Sequence, residues 1–406
     1  MNIRTITYFA NPSFPVSVER LAAAGRATSE VKWALEDNGY TVQTVRLAGP
    51  PFAALLEGEA GKLVQYALDI EAACFVNKID TATLGPARPA DAPAFFNAIP
   101  DAIGATEHVF ASAIIADPVT GLSLPAARLA AEVIRRCATS VPNGFGNLRF
   151  AALANVAPGA PFLPAAYHDG GSPMFSIGVE GAEIAVSALA EAASLDEARA
   201  RLIRAVEDNA QKISKTAKKI SGQRGLRFAG IDFSLAPYPE TARSLGTALE
   251  RLSGAKAGEH GTLAAAAFLA DALDRAEFKR VGFTGLLLSV FEDAVLAARA
   301  VEGSLTLSDL LLYSSVCGAG LDTVPLPGDV TAEALTAILV DVAALALRLN
   351  KPLTARLMPI PGKRVGDEVN FDFPYFAPCR ILDPRSTGLG GLFAGATAFD
   401  LAPRSR

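Results

Sequence analysis

Three small groups of residues in this chain have the chemistry to act on a small molecule. His168 stands in "PAAYHDGGSP", a Pro- and Gly-rich loop after a strand-like run. An imidazole titrates near neutrality, so it suits general acid–base work or metal ligation. Asp232 and Ser234 stand in "GIDFSLAPYP". Alternation along a strand puts both on one face, and an acid among apolar residues must be paired or functional. Arg356, in "TARLMPIPGK", is a cation inside an apolar strand. It needs a carboxylate or phosphate partner: Asp232, Asp322 or a substrate. His260 and Thr262, in "GEHGTL", precede a helix whose N-terminal N–H groups would favour an anion.

Cys317, in "SSVCGAGLD", invites a nucleophile reading. It falls where a helix ends, however, and the negative helix terminus and Asp322 both oppose a thiolate. A neutral packing thiol is the stronger reading. Asp322 then becomes the more interesting acid, beside glycines that let a ligand approach the backbone. The candidate catalytic set is therefore His168, Asp232, Asp322 and Cys317, with Ser234, His260, Thr262 and Arg356 as ligand contacts. A divalent metal ion would have to be held by scattered residues such as His168 and Asp232. There is no HExxH, no CxxC pair, no P-loop, and no GxGxxG running from strand to helix.

The elements that must position these residues alternate. Residues 3–9, 40–47, 108–116, 149–156, 175–181, 226–236 and 354–362 read as strands. Helical patterns cover 17–38, 53–77, 124–138, 194–222, 241–252, 261–277, 291–302, 307–317 and 331–349. Ser194 with Glu197 predicts a helix start, as does Thr306 with Asp309. The basic end "KISKTAKKISGQRG" reads as a solvated helix face. This order predicts parallel sheet covered by helices. Half of the 406 residues are apolar and the net charge is −5. A large core is expected, and an acidic surface argues against general nucleic-acid binding. The chain shows no signal-peptide core and no span suited to a bilayer. A cytoplasmic location, no membrane partner, reduced thiols and a symmetric homodimer are the expectations.

Five motifs in one order, "ANVAPGAPFLPAAYH", "GIDFSLAPYPETARSLG", "GEHGTLAAAAFLADAL", "VCGAGLDTVPLPGD" and "TARLMPIPGKRVGDEVNF", resemble the uncharacterised family known as domain of unknown function 711 (DUF 711). The resemblance covers nearly the whole chain. It implies a fold like the large ten-stranded β/α barrel of pyruvate formate-lyase and ribonucleotide reductase. One domain over 1–406 follows, built from halves of about 1–190 and 191–406. The family supplies no reaction. An enzyme acting on a small polar, anionic metabolite by acid–base or metal-assisted chemistry is the leading expectation. A non-catalytic binding or sensing protein is the alternative. A radical enzyme using Cys317 is a second alternative, but "RSTGLGGLF" lacks the Arg-Val-x-Gly-aromatic signature of glycyl-radical enzymes. The closing "GGLFAGATAFDLAPRSR" also departs from the tail common in the family.

Overall fold

The structure, a computed structural model, describes residues 1–404. The first part of the chain contains β1 (Asn2–Phe9), α1 (Val18–Glu36), β2 (Val42–Ala48), α2 (Phe52–Leu55), α3 (Leu63–Val76), β3 (Thr81–Ala87), α4 (Pro93–Ala105), β4 (Val109–Asp117), β5 (Gly121–Ser123), α5 (Leu124–Ser140) and β6 (Phe150–Ala154). The second contains β7 (Met174–Glu180), α6 (Ala182–Ala190), α7 (Leu195–Arg224), β8 (Arg227–Asp232), α8 (Leu245–Ser253), α9 (Thr262–Arg275), α10 (Ala294–Glu302), α11 (Leu307–Tyr313), β9 (Gly320–Pro327), α12 (Ala332–Arg348) and β10 (Leu353–Ile360). A C-terminal arm adds β11 (Glu368–Val369), β12 (Cys379–Arg380) and β13 (Ala398–Phe399).

Helix starts follow from side chains that occupy orphan N–H groups. Ser17, Ser123, Ser194, Thr306 and Thr331 each accept from a backbone N–H in the first turn of α1, α5, α7, α11 and α12. Each such cap contributes roughly 1 kcal/mol. The Thr306–Asp309 capping box is complete in both directions. The helix expected over 53–77 is split into α2 and α3, because Glu57 and Gly58 take left-handed backbone and close the first turn early. The helix expected over 307–317 stops at Tyr313 and continues as turns. Residues 78–107, where the pattern gives no element, hold β3 and α4.

This is an α/β fold around a large mixed sheet of 11 strands. The main path runs β8-β7-β1-β2-β3-β4-β6-β10-β9. Neighbours are parallel except at two seams, β1 with β7 and β6 with β10. The central block β1-β2-β3-β4-β6 thus runs one way, and the two outer runs, β8-β7 and β10-β9, run the other and together make the opposed block. Between its two end strands lies the segment 280–289. Isolated parallel bridges join it to the β8 side at Ile231–Arg280 and Leu235–Leu286, and to β9 at Ser289–Asp322. Most strand residues are buried, as expected of parallel sheet covered by helices. No helix among the described residues is long and apolar enough to cross a membrane.

Candidate functional site

A cleft with both polar and apolar walls encloses about 350 Å³. That is the lower end of the range for small-molecule sites. Its wall draws on both parallel blocks of the sheet. β1 supplies Arg4, β2 supplies Thr44 and Arg46, and β3 supplies Thr81. On the opposed block β9 supplies Asp322 and β10 supplies Thr354 and Arg356. Phe162, Leu163, Phe283 and Leu287 form an apolar wall, while Phe373 and Tyr375 reach in from the C-terminal arm.

Charged side chains along this wall form a continuous alternating chain. Arg243 pairs with Glu180, which also takes Arg4 Nη1 at 3.1 Å. Arg4 Nη2 reaches Glu292 at 2.7 Å, and Glu292 takes Arg356 Nη2 at 3.0 Å. Arg356 then grips Asp322 through Nε at 2.6 Å and Nη2 at 3.0 Å. Ser289 Oγ donates to the same Asp322 carboxylate. Burial by itself would raise the Asp322 carboxyl, but Arg356 holds it below the usual carboxylate range. Asp322 is therefore an ionised acceptor at neutral pH. Arg4 loses charge stabilisation by burial, and Glu292 and Glu180 more than restore it.

Arg46 departs from this pattern. Its Nε donates to Thr44 Oγ1 at 2.9 Å. Among the described residues no carboxylate lies within ion-pair distance of it, and neither Nη has a hydrogen-bond partner. The exposed Asp80 accepts instead from the Val45 N–H at 2.7 Å. Burial, then repulsion from Arg4 and Arg356, push the Arg46 guanidinium down to about 9. Arg46 is opposite Thr81 in the β2–β3 register, and His108 is level with Thr81 because Ala82 N–H donates to His108 O at 3.1 Å. Arg46, Thr81 and His108 thus form a row across three adjacent strands, all on the cavity wall, with about 4.8 Å between strands. Thr81 Oγ1 is buried without a hydrogen-bond partner among the described residues.

The family model described as Uncharacterised ACR (DUF711) matches residues 1–373. The chain belongs to the DUF711 family. A UPF0210 protein of Pyrobaculum arsenaticum is 32% identical over 347 residues, covering 81% of this chain and 76% of the relative. A UPF0210 protein of Methanosarcina acetivorans is 33% identical over 287 residues, covering 68% and 61%. One from Neisseria gonorrhoeae is 33% identical over 285 residues, covering 67% and 62%. The DUF711 match spans every strand that lines the cavity.

Of the eight residues the sequence singled out in this DUF711 chain, the cavity wall holds Asp322 and Arg356. They pair with each other, one of the partnerships anticipated for Arg356. Asp232 and Ser234 do share a face, but they brace a loop instead of facing the cavity. Asp232 accepts from Ser234 Oγ at 2.5 Å, Phe283 N–H at 2.7 Å and Thr284 N–H at 2.9 Å. Ser234 Oγ accepts from Gly285 N–H at 3.3 Å. Burial pushes the Asp232 carboxyl up to about 6, with these donors opposing it. Gly282, at φ +69°, leaves the space the carboxylate fills: a Cβ there would overlap Asp232 Oδ2. Asp232 therefore sets the position of Phe283, which is on the wall.

His168 is buried, and its ring closes its own loop. Nδ1 accepts from Gly170 N–H at 3.2 Å, while Nε2 lies 3.4 Å from Ser172 O. Its backbone N–H reaches Gly49 O at 2.9 Å. Burial lowers its affinity for a proton. His260 is exposed and Thr262 is buried at the start of α9, both away from the cavity wall. No group of three or more His, Cys, Asp or Glu side chains among the described residues is placed to hold a metal ion. His168 and Asp232 engage different partners. Cys317 is 1% exposed and is not on the wall. Lys351 Nζ donates to its carbonyl, just beyond the C-terminal end of α12. Gly388 packs on Glu333, at the N-terminal end of that helix. Some 25 Å of helix separate these two ends, so the thiol and the tail glycine of the radical reading are not neighbours.

Arg4, Arg46, Thr81 and Glu292 are wall residues outside the sites expected from sequence, and His108, at the start of an apolar strand, reads from sequence as structural. The rule that drew attention to Arg356, an arginine inside an apolar strand, applies equally to "IRTITYF" and "TVQTVRL". Thr81 and His108 carry no comparable signal.

Proposed function

We propose that this chain is an enzyme that takes a small anionic metabolite into the interior of a closed barrel and acts on it by proton transfer. The segment 280–289 would be the tenth strand of that barrel. Its bridges to both ends of the sheet support closure, as does a cavity lined from both parallel blocks. The observation that carries the anion reading is Arg46, whose Nη groups have no partner among the described residues, beside a chain of otherwise paired charges. A guanidinium with unoccupied donors on a cavity wall is suited to a carboxylate or phosphate.

His108, in the same row, is the imidazole placed to exchange a proton with a bound anion. Asp322 and Arg356 would shape the facing wall. Asp322 in its depressed, arginine-held state is a weak base. That supports a second reading in which the same cavity binds without catalysis. Isotope exchange separates the two. Small carboxylates would be incubated with the protein in D2O and their C–H protons next to the carboxylate followed by NMR. Exchange by the wild type and its loss in His108→Gln is the expected result. Ligand binding with no exchange across the panel would favour the binding protein.

A further inference from the structure

The charge on the cavity wall restricts what the cavity can hold. Three arginines line it, Arg4, Arg46 and Arg356, against two carboxylates, Glu292 and Asp322. The adjoining Arg243–Glu180 pair adds no net charge. One positive charge is left over, and it resides on Arg46. A net charge in a poorly solvated site is unfavourable, and a ligand that cancels it removes that cost. A monoanion does so. A dianion such as adipate at neutral pH replaces one uncompensated charge by another of opposite sign.

The hydrogen-bonding groups point the same way. Both Nη groups of Arg46 lack partners among the described residues, and a planar carboxylate can take both at once. Thr81 Oγ1, buried and unpartnered on the neighbouring strand, supplies one hydroxyl donor. The remaining wall is mainly hydrocarbon: Phe110, Phe162, Leu163, Phe283 and Leu287. A strongly hydrated polyanion would have nothing to bind there, whereas an apolar chain or ring would exclude water from that surface.

We infer that the cavity takes a monocarboxylate with an apolar body, its carboxylate on Arg46 and Thr81 and its hydrocarbon against the Phe162–Leu163 and Phe283–Leu287 walls. This rests on the anion reading given above, and the test separates the two. Calorimetry on the full chain would compare hexanoate, acetate, hexanamide, adipate and inorganic phosphate. Hexanoate should bind at least about tenfold more tightly than acetate, because each buried methylene adds to affinity. It should also exceed adipate and phosphate, and hexanamide should bind at least about tenfold more weakly. Arg46→Gln, with folding checked by circular dichroism, should weaken hexanoate about tenfold or more and leave hexanamide unchanged. Tighter binding of phosphate or adipate than of hexanoate would overturn the monocarboxylate inference and leave the anion reading standing. Equal binding of hexanoate and hexanamide, or no binding of any anion, would overturn both.

Discussion

Arg356 and Asp322 face each other from adjacent parallel strands and share two hydrogen bonds, from Nε to Oδ1 at 2.6 Å and from Nη2 to Oδ2 at 3.0 Å. Both side chains are about nine-tenths buried, so each is the other's main replacement for water. Asp322→Ala would leave Arg356 with Glu292 and the Leu148 carbonyl. A loss of about 3 kcal/mol in urea unfolding is expected, the lower end for breaking a buried pair. A loss below about 1 kcal/mol would mean that water already reaches the pair.

Arg46 should behave oppositely. Arg46→Met removes a cation with no carboxylate at ion-pair distance among the described residues, while keeping most of the aliphatic stem. The unliganded variant should be more stable than wild type by about 1 kcal/mol, as expected when a binding residue is held at the expense of stability. Thermal unfolding without ligand would check this, and a lower midpoint would show that the Arg46 charge is already compensated.

The Asp232 carboxyl leads to a pH prediction. Its pKa is about 6 in the folded chain against 3.8 ordinarily, so between these values the folded state binds more protons than the unfolded one. Its contribution to stability is therefore full below about pH 4 and is lost as pH rises through 6. Relative to Asp232→Asn, wild type should gain on the order of 3 kcal/mol between pH 7 and pH 4. Denaturant midpoints of both proteins across that range would measure it, and a constant difference would contradict it.

Gly282→Ala places a methyl group against Asp232 Oδ2 and a side chain at φ +69°. Both effects destabilise, and together should cost more than about 2 kcal/mol. Because Phe283 is on the cavity wall, the variant should also lose ligand affinity. An unchanged melting temperature would show that the loop yields easily.

All four cysteines are buried and unpaired. Burial pushes the Cys74, Cys137 and Cys379 thiols up to about 12, far from the thiolate that reacts. Ellman's reagent should therefore find no reactive thiol in the native protein and four after denaturation. Rapid native labelling of Cys317 would restore it as a candidate nucleophile.

Much of the fold was legible because its helices and strands keep their periods. The strands around Ile6, Val45 and Val109 and the helices opened by Ser194 and Thr306 follow directly from alternation and caps. β3 was not legible, since Gly85 and Pro86 interrupt "TATLGPA" in the middle of a buried strand. Missing β3 also hid Thr81, and with it the row that links Arg46 to His108. The site was half legible for a related reason. Arg356 and Asp322 announced themselves as charges in apolar surroundings. Asp232 gave the same signal, yet its carboxylate is taken up by three donors, Ser234 Oγ and the Phe283 and Thr284 N–H groups. Burial of an acid is visible in sequence, but whether it faces a cavity or a loop depends on contacts from residues some fifty positions away, such as Phe283 and Thr284.

The guanidinium of Arg4 lies 5.4 Å from the centre of the Tyr375 ring. One wall of the cavity thus joins the fourth residue to the three hundred and seventy-fifth. On a ribosome adding about 5–20 residues per second, tens of seconds separate the two. During that interval the first block of strands exposes Arg4 and Arg46 with no facing wall, and a nascent chain has no enclosed pocket in which to sequester a metabolite. Any small molecule held by this cavity would therefore be captured only after synthesis has passed the aromatic arm.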